Sequence, residues 1–490
     1  MQDGRKPSRL VRSFKQYMED VIIVGAGVTG CLIAHNLSKK ECKVTVIDKN
    51  PDVANGASGS NSAIVHSGHD PKSGTNKCKF NLLGNRMYPD LCKELKIAYK
   101  EIGAFVVATS PEEEKTLDGL IQNCIDRDVP YEVLTGEEAR SEEPNLSDDV
   151  TKALSLPSTG IVTPWEVCIA AMEEAVDNGT TLKLNEEVKA IEKKDDRFIV
   201  TTDKGVYESK YLVDAAGVYA DKIAGMVGIE KYHITARRGE YYILDHKNQF
   251  VEKIIYPVPS DKGKGVLAVP TIHGNVLLGP NAEFVEDKED NETTAALPGL
   301  RKDLGKTLKN IPFQHIIHTY AGLRPTGDTH DFVIEEDDKV KNFIHVSCIE
   351  SPGLASSPAI AKYVCEELIK ENYPLKKEYK RRKPHIIMNE LSDDEKAEMI
   401  KKDKDYGKII CRCERISLGE IKDVIHRSCG AVSINGVKKR CRPGMGTCQG
   451  GFCEPQILEI LASELGVDRS TICKNGPGSE IFVNPAKEDL

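Results

Sequence analysis

Apolar positions along this chain fall into two periods, and the switches between them mark the elements. "DVIIVGAGVTG", from Asp20 to Gly30, is a short apolar run, a glycine turn and a helix start. The helix continues through "CLIAHNLSKK", and "KVTVIDKN" then alternates as a second strand, completing a βαβ unit. A glycine- and serine-rich loop follows, "NGASGSNSAIVHSGHDPKSG", and "NLLGNRMYPDLCKELK" has helical spacing. Residues 101–165 alternate short strands and helices with acid-rich surface stretches, and "EVCIAAMEEAVDNG" is an amphipathic helix with a glycine stop. The next stretch, to "VDAAG", predicts strands with turns at Asp195-Asp196 and Lys204-Gly205. "RRGEYYILD", "KIIYPVPS", "GVLAVPTIHGNVLLGP" and "HIIHTYAGLRP" predict a further sheet, placed to cover a substrate site. "NFIHVSCIESPGLASSPAIAKYVCEELIKE" repeats strand, glycine turn and helix.

Beyond it the texture changes. "KKEYKRRKPHIIMNELSDDEKAEMIKKDKDYGK" is highly charged with little aliphatic periodicity, and reads as a linker that hugs the first domain. A compact cysteine-bearing module follows. The expected organisation is an N-terminal extension (1–19), a main domain (20–375), a charged linker (376–408) and the module (409–490). Within the main domain, nucleotide-binding segments (about 20–85, 160–230 and 320–375) interleave with substrate-covering segments (about 86–159 and 231–319). The fold class is α/β, and 490 residues are too many for one ordinary core.

Composition narrows the function. A net charge of −9 argues against a nucleic-acid partner, while leaving room for a local basic pocket and a small anionic substrate. No apolar run reaches the roughly 18–20 residues of a membrane helix, so any membrane contact would be peripheral, through a partner. Fifteen cysteines without a secretory signal imply a reducing, cytoplasmic setting, with thiols free, catalytic or metal-bound. The basic first residues read as a disordered start, with an organelle leader as the alternative.

Gly25-x-Gly27-x-x-Gly30 carries the first chemistry. Gly25 permits a tight turn, Gly27 lets a pyrophosphate approach the helix N-terminus, and Gly30 allows close helix-to-strand packing. Asp48 closes the second strand, about 20 residues on, where an acid takes ribose hydroxyls. On these residues alone the dinucleotide is FAD or NAD.

Three later stretches decide for FAD by resemblance. "ASGSNSAIVHSG", "YLVDAAGVYAD" and "ESPGLASSPAIA" keep the order of the D-amino-acid oxidase and glycerol-3-phosphate dehydrogenase superfamily. "SNSAIVHSG…GTNKCKFNLLGN" and "AGLRPTGDTHDFVI" look most like its L-2-hydroxyglutarate dehydrogenase branch. The resemblance implies that Ser58, Ser60 and Asn61 lie along the flavin and that Ala216 and Gly217 bring backbone to the cofactor. Gly353, Leu354 and Ala355 would open a helix facing the isoalloxazine, where a helix N-terminus stabilises the anionic reduced flavin. Oxidising an alcohol also needs a proton acceptor, and His66 lies in the loop laid against the flavin. Arg324 corresponds to the anion clamp, whose guanidinium forks a carboxylate or phosphate. Tyr242 and Tyr256 are further candidates for the substrate pocket.

Cys411-x-Cys413 and Cys448-x4-Cys453 suit a [2Fe–2S] cluster or a closed zinc site. "CRCERISLGEI…KRCRPGMGTCQGGFC" resembles the bacterioferritin-associated-ferredoxin-like [2Fe–2S] domain, in the form fused to the anaerobic glycerol-3-phosphate dehydrogenase catalytic subunit. That resemblance implies electron export to a protein subunit, and sets Cys441 aside as an extra thiol. The substrate expected first is sn-glycerol 3-phosphate. A 2-hydroxy acid is the alternative, because the "GGKLTTYR"-like stretch of glycerol-3-phosphate dehydrogenases is replaced here by "ESPGLASSPAIA". A non-catalytic electron-transfer flavoprotein is a third reading, against which His66 and Arg324 both count.

Overall fold

The computed structural model describes residues 18–247, 250–259 and 265–482. The N-terminal extension expected as leader or disordered start falls almost wholly outside them.

The apolar run Met18–Val24 is the middle of a parallel sheet because both its neighbours are apolar strands of the same direction. Val44–Ile47 lies on one side and Val206–Asp214 on the other, flanked in turn by Thr181–Lys183 and Phe343–Ser347. Strands buried on both faces need covers on both. The helices Val28–Ser38, Asn76–Leu95, Pro164–Asp177 and Gly353–Tyr363 cover one face through Leu32, Phe80, Val167 and Ile360. The antiparallel meander Val188–Lys194, Arg197–Thr202 and Val206–Asp214 supplies much of the other, around Phe198. Its turns fall at the expected dipeptides. Two of the helices touch backbone to backbone, since a Cβ on Gly84 would lie 2.0 Å from the Ala355 carbonyl.

A second, nine-stranded sheet is built around Ile234–Leu244, which pairs along its whole length with Ile316–Gly327. Its two faces bury separate apolar cores, one around Phe105 and Leu278, the other around Val106 and Tyr256. The sheet lies over the open end of the first domain's glycine loops.

The charged stretch after the last Rossmann-type helix does run along the first domain. Lys380 N–H donates to Asn178 at 2.8 Å, and Arg382 pairs with Glu173 at 2.6 Å. It also contains an element the apolar pattern did not predict: Asp393–Lys402 is a helix, opened by a Ser392–Glu395 capping box. The cysteine module comprises helices Leu418–Ile425, Ile434–Cys441 and Glu454–Leu465 around Ile421, Val437, Ile457 and Leu461.

Candidate active site and thiol centre

A cavity of about 580 Å³ opens where the glycine loop of the first strand faces the second sheet. Gly25 has φ of +109°, and a Cβ there would lie 2.3 Å from the Ala215 carbonyl. Gly30 cannot carry a side chain either, because its Cβ would lie 2.0 Å from Gly25 O; it packs behind the cavity rather than lining it. Gly27 caps the helix without a side-chain bond, and Val28 N–H donates to Ser58 Oγ at 2.9 Å. The helix N-terminus thus meets the cavity with the Ser58 hydroxyl beside it. Asp48 lines the same end, accepting Ala26 N–H at 2.7 Å and Asn50 N–H at 2.8 Å. Burial pushes its carboxyl above the usual range. Carboxylate oxygens accept more than one bond, so Asp48 can still take ribose hydroxyls.

The Ser58–Asn61 loop forms one wall. Asn61 Nδ2 donates to the Ala57 and Ser58 carbonyls at 3.0 Å, fixing the turn from within. Gly322 on the opposing strand lets it approach, since a Cβ there would lie 2.0 Å from Ser60 O. Ala216, Gly217, Gly353 and Leu354 also line the cavity. Ala355 does not; it is fully buried against Gly84 in the helix crossing, which corrects its expected cofactor contact.

Side chains alternate across a strand. On Ile234–Leu244 and Ile316–Gly327 one face carries Arg237, Gly239 and Tyr241 opposite Arg324, Gly322 and Tyr320. Tyr241 and Tyr320 stack 4.6 Å apart, and their hydroxyls bond Ser62 Oγ at 3.0 Å and Asn61 O at 2.9 Å. Tyr242 points the other way, into the second sheet's core, with Arg301 over its ring. The expected pocket tyrosine is therefore corrected by one position, to Tyr241.

Arg324 lines the cavity and donates to Asn281 O at 3.1 Å. Burial and, secondly, the neighbouring Arg324 charge pull the Arg237 guanidinium below its usual range. Glu350 also lines this end, held by Lys77 at 2.6 Å and Thr326 at 2.8 Å. His66 reaches the cavity from the loop after Asn61, and its Nδ1 lies 3.1 Å from Tyr256 Oη. Tyr256 is buried behind His66, so it contacts the histidine rather than lining the cavity; burial pushes its phenol well up.

The four module cysteines pair across their motifs, not within them. Cys411 meets Cys453, and Cys413 meets Cys448. Cys411 is pulled down to about 6, first by the Cys453 hydrogen bond and then by the Gly444, Glu414 and Cys413 amides, against its burial. Two neighbouring thiol pairs with backbone donors fit an anionic iron–sulfur centre. Cys411 and Cys453 face inward, while Cys413 is exposed and Cys448 partly so. Cys441 stays apart, buried and donating to Val437 O at 3.6 Å. His35, Glu94 and Glu174 also converge, but Lys39 pairs with Glu94 at 2.7 Å and Arg381 with both carboxylates, so cations already fill that cluster.

Glycine loop, cavity and thiol centre define a flavin-dependent oxidoreductase carrying an iron–sulfur module. A family profile described as FAD dependent oxidoreductase matches residues 20–367, and one described as BFD-like [2Fe-2S] binding domain matches residues 409–463. The chain belongs to the FAD dependent oxidoreductase family. It is 46% identical over 484 residues to the glycerol 3-phosphate dehydrogenase of Caloramator mitchellensis, covering 96% of this chain and 100% of that one. It is similar to the structure of FAD-bound L-alpha-glycerophosphate oxidase from Mycoplasma pneumoniae, with TM-score 0.72 and 28% identity over 75% of this chain and 99% of that one. L-2-hydroxyglutarate dehydrogenase of Escherichia coli (strain K12) is 31% identical over 279 residues, covering 56% of this chain and 66% of that one. The cofactors are FAD and a [2Fe–2S] cluster. Among the described residues no helix is long and apolar enough to cross a membrane.

Proposed function

We propose that this protein oxidises the secondary alcohol of sn-glycerol 3-phosphate to dihydroxyacetone phosphate. The observation that carries the reading is Arg324 lining the cavity, with Arg237 opposite it in the strand register and near enough for the two charges to interact. Arg324 offers a phosphate a forked, charge-assisted contact, and the Arg237 charge adds to the positive field at that end. The identity of a whole-length relative named as a glycerol 3-phosphate dehydrogenase supports the same reading. It outweighs the missing "GGKLTTYR"-like stretch.

In this reading Arg324, with Arg237 beside it, binds the phosphate and fixes the carbinol carbon within the cavity. His66 takes the hydroxyl proton. For that, Nδ1 carries its proton toward Tyr256 Oη, which can accept it, and leaves Nε2 as the acceptor. Bound FAD supplies the hydride acceptor, and the cluster can relay the electrons singly. Tyr241 and Tyr320 hold the Ser60–Ser62 wall in place. The exposed Cys413 side, with Phe452 at 78% exposure and exposed Arg412 and Arg415 nearby in sequence, is where an electron-accepting protein would dock.

The L-2-hydroxyglutarate reading is second. A dicarboxylate can also engage two arginines, so the weight falls on similarity: L-2-hydroxyglutarate dehydrogenases are 27% to 32% identical to this chain, against 46% over 96% of the chain for the glycerol 3-phosphate dehydrogenase. Anaerobic mixing with a substrate panel distinguishes them: glycerol 3-phosphate should bleach the flavin fastest. Faster bleaching by L-2-hydroxyglutarate, or none by either, rejects the proposal.

A further inference from the structure

Helix Ile434–Cys441 of the cysteine module lies against the first domain, and two adjacent basic residues make the contact. Arg440 forks Asp52 with two bonds of 2.7 Å, and both side chains are nearly inaccessible, at 2% and 3% exposure. The same guanidinium donates to Cys429 O and Gly436 O, each at 2.9 Å, so its geometry is fixed from its own side. Lys439 Nζ bonds the Val53 and Ala54 carbonyls at 3.4 and 3.3 Å and also Asn55 Oδ1.

The gripped residues belong to the cofactor cavity's wall. Ala54 N–H donates to Ala26 O at 3.0 Å, inside the glycine loop. Ala54 O abuts Gly59, where a Cβ would lie 2.2 Å away. Asn55 and Gly56 line the cavity directly. The Asp52–Gly59 loop is thus held between the glycine loop on one side and the cysteine module on the other. A second element of the module reaches the same place. Its C-terminal turn is pinned to the helix start by Ile434 N–H to Cys473 O at 3.2 Å and Asn435 N–H to Lys474 O at 2.9 Å. Gly476 of that turn packs on Pro51, and Asn475 lines the cavity. Asn475 shares that lining with Asp48, Lys49 and Asn50, and its neighbour Gly476 packs on Pro51, just past the end of the second strand.

We infer that the cysteine module completes the FAD site: Lys439 and Arg440 are positioning residues for the Asp52–Gly59 wall, and Asn475 contacts the adenosine half of FAD. Loss of the grip lets the wall shift against the glycine loop, so cofactor affinity falls even though neither basic residue touches FAD. Asn475 acts directly, its amide able to donate to and accept from adenine or ribose. This rests on the FAD reading, which the parent protein tests by itself: a parent that bound no FAD would reject that reading first.

The test is FAD and FMN titration of the flavin-stripped full-length chain, followed by flavin fluorescence. Iron content and the reduced-cluster electron paramagnetic resonance spectrum establish that the module is intact. Lys439→Met should weaken FAD about tenfold, as expected for lost buried hydrogen bonds, and shift the bound flavin's absorption. Lys439→Arg should recover most of the affinity. Asn475→Ala should weaken FAD severalfold and leave FMN, which lacks adenosine, unchanged. Arg440→Ala should behave like Lys439→Met or more severely; should it fail to fold, the other two variants decide. Lys439→Met and Asn475→Ala chains with intact clusters and FAD dissociation constants within about twofold of the parent would overturn the inference.

Discussion

Arg324 stands directly across the strand pair from Arg237, so two positive charges share one face of the sheet. Their placement predicts a graded effect. Arg324→Ala should lower the second-order rate of flavin reduction by glycerol 3-phosphate about a hundredfold or more, since stranding a desolvated charge costs roughly 3–5 kcal/mol. Arg237→Ala should cost about tenfold, because the guanidinium that remains still pairs with the phosphate. FAD should stay bound in both. Unchanged reduction at low substrate in the Arg324 variant removes it as the clamp.

His66 and Tyr256 make a second testable pair. His66→Gln should slow anaerobic flavin reduction at saturating substrate by about 10²–10⁴, the usual contribution of a positioned base. Tyr256→Phe keeps the histidine and loses the hydrogen bond that orients its ring, so a smaller loss of about tenfold is expected. Substrate affinity should change little in either. A Tyr256→Phe variant as slow as His66→Gln would mean the phenol itself handles the proton.

How far the sequence reached follows from how local each feature is. The glycine loop was legible because its demands sit within six consecutive residues: Gly25 needs positive φ and Gly30 needs contact with Gly25 O. The Asp195-Asp196 and Lys204-Gly205 turns were legible for the same reason. Tyr242 was named where Tyr241 belongs because adjacent strand residues face opposite ways, and register is set by Ile316–Gly327 far along the chain. Arg237 had no local signal at all. Helix Asp393–Lys402 offered a readable capping box, but none of its residues is buried, so no apolar stripe announced it. The Arg440 grip on Asp52 spans 388 positions, and the charged stretch between the domains suggested more independence than exists.

Cys448 lies in the outward thiol pair, on the loop after helix Ile434–Cys441, with Thr447 bonding Asp245 at 2.6 Å. Cys448→Ser should therefore spare the Lys439 and Arg440 contacts and remove the cluster. Glycerol 3-phosphate should still bleach the flavin in stopped flow, while transfer to a one-electron protein acceptor collapses. Dyes that meet the flavin directly should still be reduced. Onward transfer at the parent rate would make the cluster a bystander. Metal analysis of the parent should find iron; zinc without iron would reject the [2Fe–2S] assignment.

Glu166 gives a pH prediction. It lies in the first turn of helix Pro164–Asp177, facing Arg382 and Glu390 from the charged stretch, Arg442 from the cysteine module and Glu173 from its own helix. Burial pushes its carboxyl from 4.5 up to about 7, outweighing the two arginines. Below pH 4.5 the folded and unfolded chains both hold this proton. Between 4.5 and 7 the folded chain keeps a proton the unfolded chain has lost, so stability falls as pH rises through this window and is level above it. Glu166→Gln removes the proton and the penalty together. It should match the parent near pH 4.5 and be more stable at pH 8, by roughly 1–2 kcal/mol once partial solvent screening is allowed for. Thermal unfolding of both proteins across that range reads the difference directly, since every other carboxylate titrates equally in the two. Parallel curves, with no gap opening toward pH 8, would place Glu166 among the ordinary ionised carboxylates of the interface.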